Sequence, residues 1–332
     1  MKYDVYGIGN ALVDTEYEID DAFLDHARLP KGIMTLIEEE DRIRLLHMLE
    51  EEHEHIAIKQ AGGGSAANTM VIIAQLGSNA FYSCKVANDP TGDFFVKDLV
   101  AAGVDTNLKA DRESGATGHC ISMVTPDAER TMTTCLGITN FLSTAELNPD
   151  ALRASSRLYI EGYLVSSPTA FGAAQEAQSI AREAGVSVSL TLSDPAMVEN
   201  FKSNYDLLFG TGVDLLFCNL EEAQLLTGMQ SLDDCATSLK DICHSFVVTC
   251  GKEGSLAYDG KEMHQAPGVP TRAVDTTGAG DIFAGAFLHS LSCGEGFSTA
   301  NVLANQAASL LVSKFGARLS LDEALTLNVK KP

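Results

Sequence analysis

The feature that most constrains the fold is a set of short, almost wholly apolar runs that do not alternate with polar residues. DLLFCN (214–219) and SFVVTC (245–250) are the clearest, and YDVYGIG (3–9), NAFYSCKVA (79–87), RLYIEG (157–162) and VSVSLTL (186–192) are of the same kind. A strand that is apolar on both faces must be covered on both faces. Between these runs lie helical patterns: SAANTMVIIAQLG (65–77), TGDFFVKDLVAAG (91–103) and residues 169–184, each ending at a glycine suited to a left-handed cap. Apolar strands separated by helices predict an α/β fold, a doubly wound and mostly parallel sheet with helices on both faces.

Two stretches depart from this scheme. Residues 11–38 and 117–136 contain period-two segments, EYEID, GIMTLIE, GHCISMV and ERTMTTC, the last two joined by a hairpin-like TPDA turn. They predict a small antiparallel β lid, too short for a core of its own. The expected division is a large unit of residues 1–10, 39–116 and 137–332, and a lid of 11–38 and 117–136.

The formal charge of −22, from 23 basic and 45 acidic residues, excludes a general affinity for nucleic acid or anionic lipid. The first residues, MKYDVYGIGN, read as strand and turn rather than as a signal peptide, and no apolar run approaches the roughly 18 residues of a membrane helix. The eight cysteines form no C-x-x-C pair, and several lie in apolar runs, which predicts buried reduced thiols. A cytoplasmic protein acting on small molecules is the expectation.

Within DTTGAGDIFAGAF (275–287), glycines precede an aspartate at the start of an apolar helix. Gly278 and Gly280 let the backbone approach a ligand closely, and the amides of 278–281 point out of the first helical turn. Free amides and a positive helix end attract an anion. A carboxylate beside such a cradle, Asp281, suits phosphoryl transfer to a hydroxyl: a base for the nucleophile next to donors for the moving phosphoryl group. In isolation an aspartate in a first helical turn is better explained by the helix dipole.

This segment closely resembles the C-terminal signature of the ribokinase family, the phosphofructokinase-B-type kinases of sugars and nucleosides. AGGGSAANTMVIIAQLG (61–77) resembles the second family signature, NLEEA (219–223) its N-x-x-E, and TCGKEGS (249–255) its nucleotide loop. The resemblance implies a catalytic base at Asp281 and an anion hole at Gly278, Ala279 and Gly280. It implies ATP as phosphoryl donor, contacted by Asn219, Glu222, Thr249, Gly251, Lys252 and Gly254 and by the helix bearing Asn305. Mg²⁺ would be held through water by Glu222 and Asn219, and a monovalent-cation requirement is left open.

For the acceptor, Asn10 and Asp14 in GIGNALVD, with the Gly63-Gly64-Ser65 turn and Asn68, offer donors and acceptors for a vicinal diol. The four-residue spacing of Asn10 and Asp14 and the segment PKGIMTLI (30–37) look most like bacterial adenosine kinases. Met34, Leu36, Cys120, Leu136 and Tyr163 are candidates for a base slot, and Arg130 for a guanidinium closing over phosphates. The implied reaction is phosphorylation of the adenosine 5′-hydroxyl to AMP, a purine-salvage step. A sugar kinase of the ribose, fructose or 2-keto-3-deoxygluconate type is the alternative. An inactive nucleoside-binding protein is a third reading, against which all of 278–281 is retained. A monomer and a lid-mediated homodimer both stay open. GIGNAL fails as a dinucleotide-binding G-x-G-x-x-G, because Leu12 stands at the third glycine. His53 and His55 in HMLEEEHEHI read as a solvated acidic helix end rather than a metal site.

Overall fold

The computed structural model describes residues 2–108, 111–127 and 129–327; Ala128, the last residue of the expected TPDA turn, lies outside them. In chain order the strands are β1 (Tyr3–Ile8), β2 (Leu12–Glu18), β3 (Met34–Leu36), β4 (Ala57–Gly63), β5 (Ala80–Ser83), β6 (Asp105–Thr106), β7 (Gly118–Val124), β8 (Arg130–Cys135), β9 (Ser155–Ile160), β10 (Ser187–Thr191), β11 (Leu215–Asn219), β12 (Ser245–Thr249), β13 (Ser255–Tyr258) and β14 (Met263–Ala266). The helices are α1 (Asp21–Ala27), α2 (Glu39–His47), α3 (Ser65–Gln75), α4 (Pro90–Ala101), α5 (Pro149–Arg153), α6 (Pro168–Ala184), α7 (Pro195–Thr211), α8 (Leu220–Thr227), α9 (Leu232–Leu239), α10 (Ala279–Ser292), α11 (Phe297–Val312) and α12 (Leu321–Ala324).

Nine strands form the large sheet in the order β14-β13-β12-β11-β10-β9-β1-β5-β6. All neighbours from β12 to β6 run parallel, and only the β12–β13–β14 edge is antiparallel. One apolar cluster fills the face under α6–α9 and another the face under α3, α10 and α11, so the sheet is covered on both sides as its apolar strands require. The chain leaves β1 towards β5 on one side and returns as β9 on the other. In such open sheets the ligand crevice forms outside the carboxyl ends of the strands at this switch point.

Gly285 sets how closely α10 and α3 approach. A Cβ there would stand 2.2 Å from Ile72 Cγ2 and 2.8 Å from the Thr69 carbonyl oxygen. Asp281 lies one turn before Gly285, and Ser65 one turn before Thr69, so contact at the second pair brings the first pair together. Thr69 Oγ1 ties the helices by donating to the backbone oxygens of Ser65 and Asp281, each at 3.2 Å.

The small sheet differs from expectation in three ways. It has five strands, β3-β8-β7-β2-β4, and it is mixed: β2–β7 and β3–β8 are parallel, β7–β8 and β2–β4 antiparallel. Its edge strand β4 comes from a segment that the sequence boundaries left in the large unit. It also has a core of its own, because Phe23 and Leu24 of α1, Leu45 of α2 and Leu49 just beyond α2 pack against Tyr17, Ile19, Ile121 and Met123. α1, capped by the Asp20 side chain, was hidden between the period-two segments. The chain passes between the two sheets within one rung, where Leu12 faces both Gly63 and Gly118. The Leu136 carbonyl oxygen lies 2.9 Å from where a Gly118 Cβ would be.

Gly285→Ala is expected to lower stability by about 1–3 kcal/mol, the usual effect of overpacking a tight helix contact, and to reduce any turnover that depends on Asp281. Urea unfolding with an unchanged m-value and a lower midpoint would bear this out; an unaltered midpoint would show that the helices separate freely.

Candidate active site

A cleft of about 1450 Å³ opens at the carboxyl ends of the strands, between the large sheet and the lid. Asp281 faces it from the first turn of α10. Gly278, the residue that caps this helix, adopts φ 77°, a left-handed conformation in which a Cβ would meet the Ala317 carbonyl oxygen at 2.7 Å. No side chain caps α10. The Ala279 amide turns back to the Thr276 oxygen at 3.1 Å, so the cradle is narrower than the expected 278–281 set. The amides of Gly278, Gly280 and Asp281 are the donors an anion would meet there.

Two donors fix the Asp281 carboxylate. Ser65 Oγ donates to Oδ1 at 2.6 Å and Asn68 Nδ2 to Oδ2 at 3.1 Å. Burial pushes Asp281 up to about 6, and these hydrogen bonds limit the rise. Ser65 and Asn68 were expected at the acceptor; both line the cleft, and their side chains hold Asp281.

Asp14 sits on β2, its carboxylate over the Gly63 backbone, where a Cβ would lie 2.5 Å from Oδ2. Burial pushes it up to about 6, opposed chiefly by Arg318. Asn10 is committed to a residue that the sequence reading missed, Glu161, which accepts from Asn10 Nδ2 at 2.7 Å and from the Ala66 amide at 2.8 Å. Glu161 is fully buried, and burial raises it to about 7. It follows the apolar run LYI directly, and a charge at the carboxyl end of a core strand was a signal available in the sequence. Gly64, with φ 99°, sits where a Cβ would be 2.4 Å from the Asn10 carbonyl oxygen, so only glycine starts α3 here.

The base-slot candidates Met34, Leu36, Cys120, Leu136 and Tyr163 all line the same cleft. Met34 and Leu36 are 50% and 62% exposed, apolar surface with room for a ligand against it. Arg130 also lines the cleft, but its guanidinium is committed to Glu16 and, at 2.9 Å, to Asp275 Oδ2, and it lies over the Phe315 ring. To reach a phosphate it must exchange these partners.

At the far end, Asn219 and Glu222 start α8 as a reciprocal cap: Asn219 Oδ1 accepts from the Glu222 amide, and Glu222 accepts from the Asn219 amide and Nδ2. Glu222 is buried, raised to about 7 by that burial, and faces the cleft, as do Thr249 and Gly251. Three expected nucleotide contacts fall elsewhere. Lys252 points into solvent, its side chain 92% exposed. Gly254 closes the β12–β13 turn against Ala266. Asn305 is buried and spends Nδ2 on Ser255 Oγ and the Asn301 carbonyl oxygen. None of the three lines the cleft.

Residues 32–324 match the profile of the pfkB family carbohydrate kinases. The ribokinase of Mus musculus is 30% identical over 269 residues, which cover 78% of this chain and 80% of that protein. The crystal structure of adenosine kinase from Sinorhizobium meliloti superimposes with a TM-score of 0.86 at 36% identity, covering 98% of both chains. A probable sugar kinase from Rhizobium etli gives the same TM-score at 33% identity and the same coverage.

Because the folded state raises Asp281, its ionised form opposes folding above the unfolded value of 3.8, and the penalty is complete once pH exceeds about 6. Asp281→Asn is therefore expected to stabilise the protein by about 1–2 kcal/mol at pH 8, with the gain mostly gone at pH 4. Urea unfolding of both proteins at the two pH values tests this. A difference that does not change with pH would remove the buried-charge account.

Proposed function

The chain belongs to the pfkB family of carbohydrate kinases, phosphotransferases with an alcohol group as acceptor, and on that premise we propose that it transfers the γ-phosphoryl group of ATP to the 5′-hydroxyl of adenosine, giving ADP and AMP. The observation that carries the reading is Asp281, held by Ser65 and Asn68 beside the open amides of α10 and inside a cleft large enough for both substrates.

Asp281 takes the hydroxyl proton as that oxygen attacks the γ-phosphorus; a new oxygen–phosphorus bond forms and the bond to the ADP oxygen breaks. The amides of Gly278, Gly280 and Asp281 meet the charge on the moving phosphoryl group. Asp14 offers a carboxylate to the ribose diol, and the lid slot of Met34, Leu36, Cys120, Leu136 and Tyr163 offers an apolar bed for the base. Glu161 holds Asn10 and the start of α3 in place behind the sugar.

The described residues contain no group of three or more histidine, cysteine or carboxylate side chains that would enclose a metal ion. Glu222 with Asn219, near Asp194 on the same cleft, would hold a Mg²⁺ through its waters. Held in this way, Mg²⁺ would supply charge neutralisation on the nucleotide. The likeness to Sinorhizobium adenosine kinase over nearly the whole chain favours adenosine. The likeness to mouse ribokinase favours ribose, and the same Asp281 chemistry would serve it.

Two measurements separate these readings. With Mg·ATP and a panel of adenosine, inosine, guanosine, ribose, fructose and 2-keto-3-deoxygluconate, ADP release is expected with adenosine; release with a sugar alone would transfer the reading to that sugar. Asp281→Asn is expected to lower kcat by about 100-fold or more while nucleotide affinity changes little, and wild-type turnover in this variant would overturn the role of Asp281. In the wild type, turnover should fall as pH drops through about 6, where Asp281 takes up its proton.

A further inference from the structure

Arg318 lies in the segment between α11 and α12, within no motif that carries the family resemblance, yet it faces the cleft with its side chain only 14% exposed. Its Nε donates to Asn68 Oδ1 at 2.7 Å and its Nη1 to Asp98 Oδ2, on α4, at 2.6 Å. Gly62 makes the second bond possible, since a Cβ there would stand 2.4 Å from Asp98 Oδ2 and 3.1 Å from Arg318 Nη1.

The Asn68 side chain has two faces of nearly equal shape and opposite polarity, an acceptor oxygen and a donor NH₂. If the oxygen faced Asp281, two acceptors would oppose one another and the carboxylate would lose a hydrogen bond. A guanidinium has donors only and keeps its charge, so Nε admits only the oxygen of Asn68. The NH₂ group is thereby turned towards Asp281.

We propose that Arg318 is a positioning residue for the catalytic base: backed by Asp98 through the gap at Gly62, it sets the polarity of the Asn68 amide and so holds the Asp281 carboxylate for the acceptor hydroxyl. This inference rests on Asp281 being the base and adds the group that orients it. Arg318 also places a permanent positive charge near Asp281 and Asp14, opposing the effect of burial on both. The other charged groups around the two carboxylates are Glu161 at the end of β9, Lys59 on β4 and Arg130 on β8.

The test is steady-state kinetics with Mg·ATP and the panel acceptor of highest turnover, on Arg318→Ala, Arg318→Lys, Asn68→Ala, the Asn68→Ala/Arg318→Ala double variant and Asp281→Asn. Arg318→Ala is expected to lower kcat by about 10–100-fold, as small misplacements of reacting groups do, with KM for ATP within about 3-fold. Its acid limb should move to higher pH, because loss of the cation favours the protonated carboxylate. Arg318→Lys, which keeps the charge without the fork, should restore the acid limb more than kcat. Adding Arg318→Ala to Asn68→Ala should have little further effect on kcat. Wild-type kcat and pH profile in Arg318→Ala, or full multiplication of the two single losses in the double variant, would overturn the proposal. Wild-type turnover in Asp281→Asn would instead remove the reading on which it rests. If Arg318→Ala does not fold, Asp98→Asn carries the test: a smaller loss of kcat in the same direction is expected, and unchanged kcat overturns the proposal.

Discussion

The contact between α3 and α10 at Gly285 is the constraint from which the site follows. These helices start in the glycine-bearing turns after β4 and after residue 275, far apart in the chain. They run the same way, because Ser65 meets Asp281 and Ile72 crowds Gly285. Two positive helix ends therefore open side by side at one mouth of the cleft, and their fields add where a phosphoryl group would pass. A carboxylate placed there is stabilised by both helix ends and by two side-chain donors, while burial pushes the other way. The result, a group at about 6, is ionised near neutrality and close enough to it to accept a proton.

Asp281 is one of three carboxylates in a small volume, with Asp14 and Glu161, in a chain whose formal charge is already −22. Each has a different counterweight. Asp281 has a hydroxyl and an amide with Arg318 behind them, Asp14 has the arginines that face the cleft, and Glu161 has backbone and side-chain amides. A carboxylate held by neutral donors with no nearby cation keeps a high affinity for its proton. Glu161, whose oxygens are taken by the Asn10 side chain and by the Asn10 and Ala66 amides, suits a structural post better than a base.

Much of the architecture was legible in the sequence because it followed from periodicity. Runs such as SFVVTC and LLFCN have no polar face, and a parallel sheet covered on both sides is the arrangement that accepts them. The lid was read less well, because its organisation depends on contacts distant in the chain. β4 has four exposed residues before it reaches Gly62 and Gly63, and it becomes a strand only by pairing with β2. At the site, Asp281 and the glycines of α10 stood out locally. Arg318 did not, since its role comes from a fold that brings four separate segments together. Lys252 and Asn305 stand apart from the cleft for the opposite reason: their sequence surroundings suit a nucleotide loop, but the β12–β13 turn directs one outwards and the Ser255 hydroxyl claims the other.

The single rung at which the chain crosses between the sheets has a mechanical meaning. Leu12, Gly63 and Gly118 meet there, two of them glycines, and from Leu12 the seven residues of β2 run outwards to Glu18, about 20 Å at the usual rise of a strand. Because the lid has its own core, any rotation at that rung would carry it as one stiff arm pivoting near one end. A rotation of about 10° at that fulcrum would sweep its tip through roughly 3–4 Å, while Asp14, close to the pivot, would hardly shift. The arrangement separates two demands on one small sheet: a steady grip beside the reacting atoms and a wide stroke at the rim.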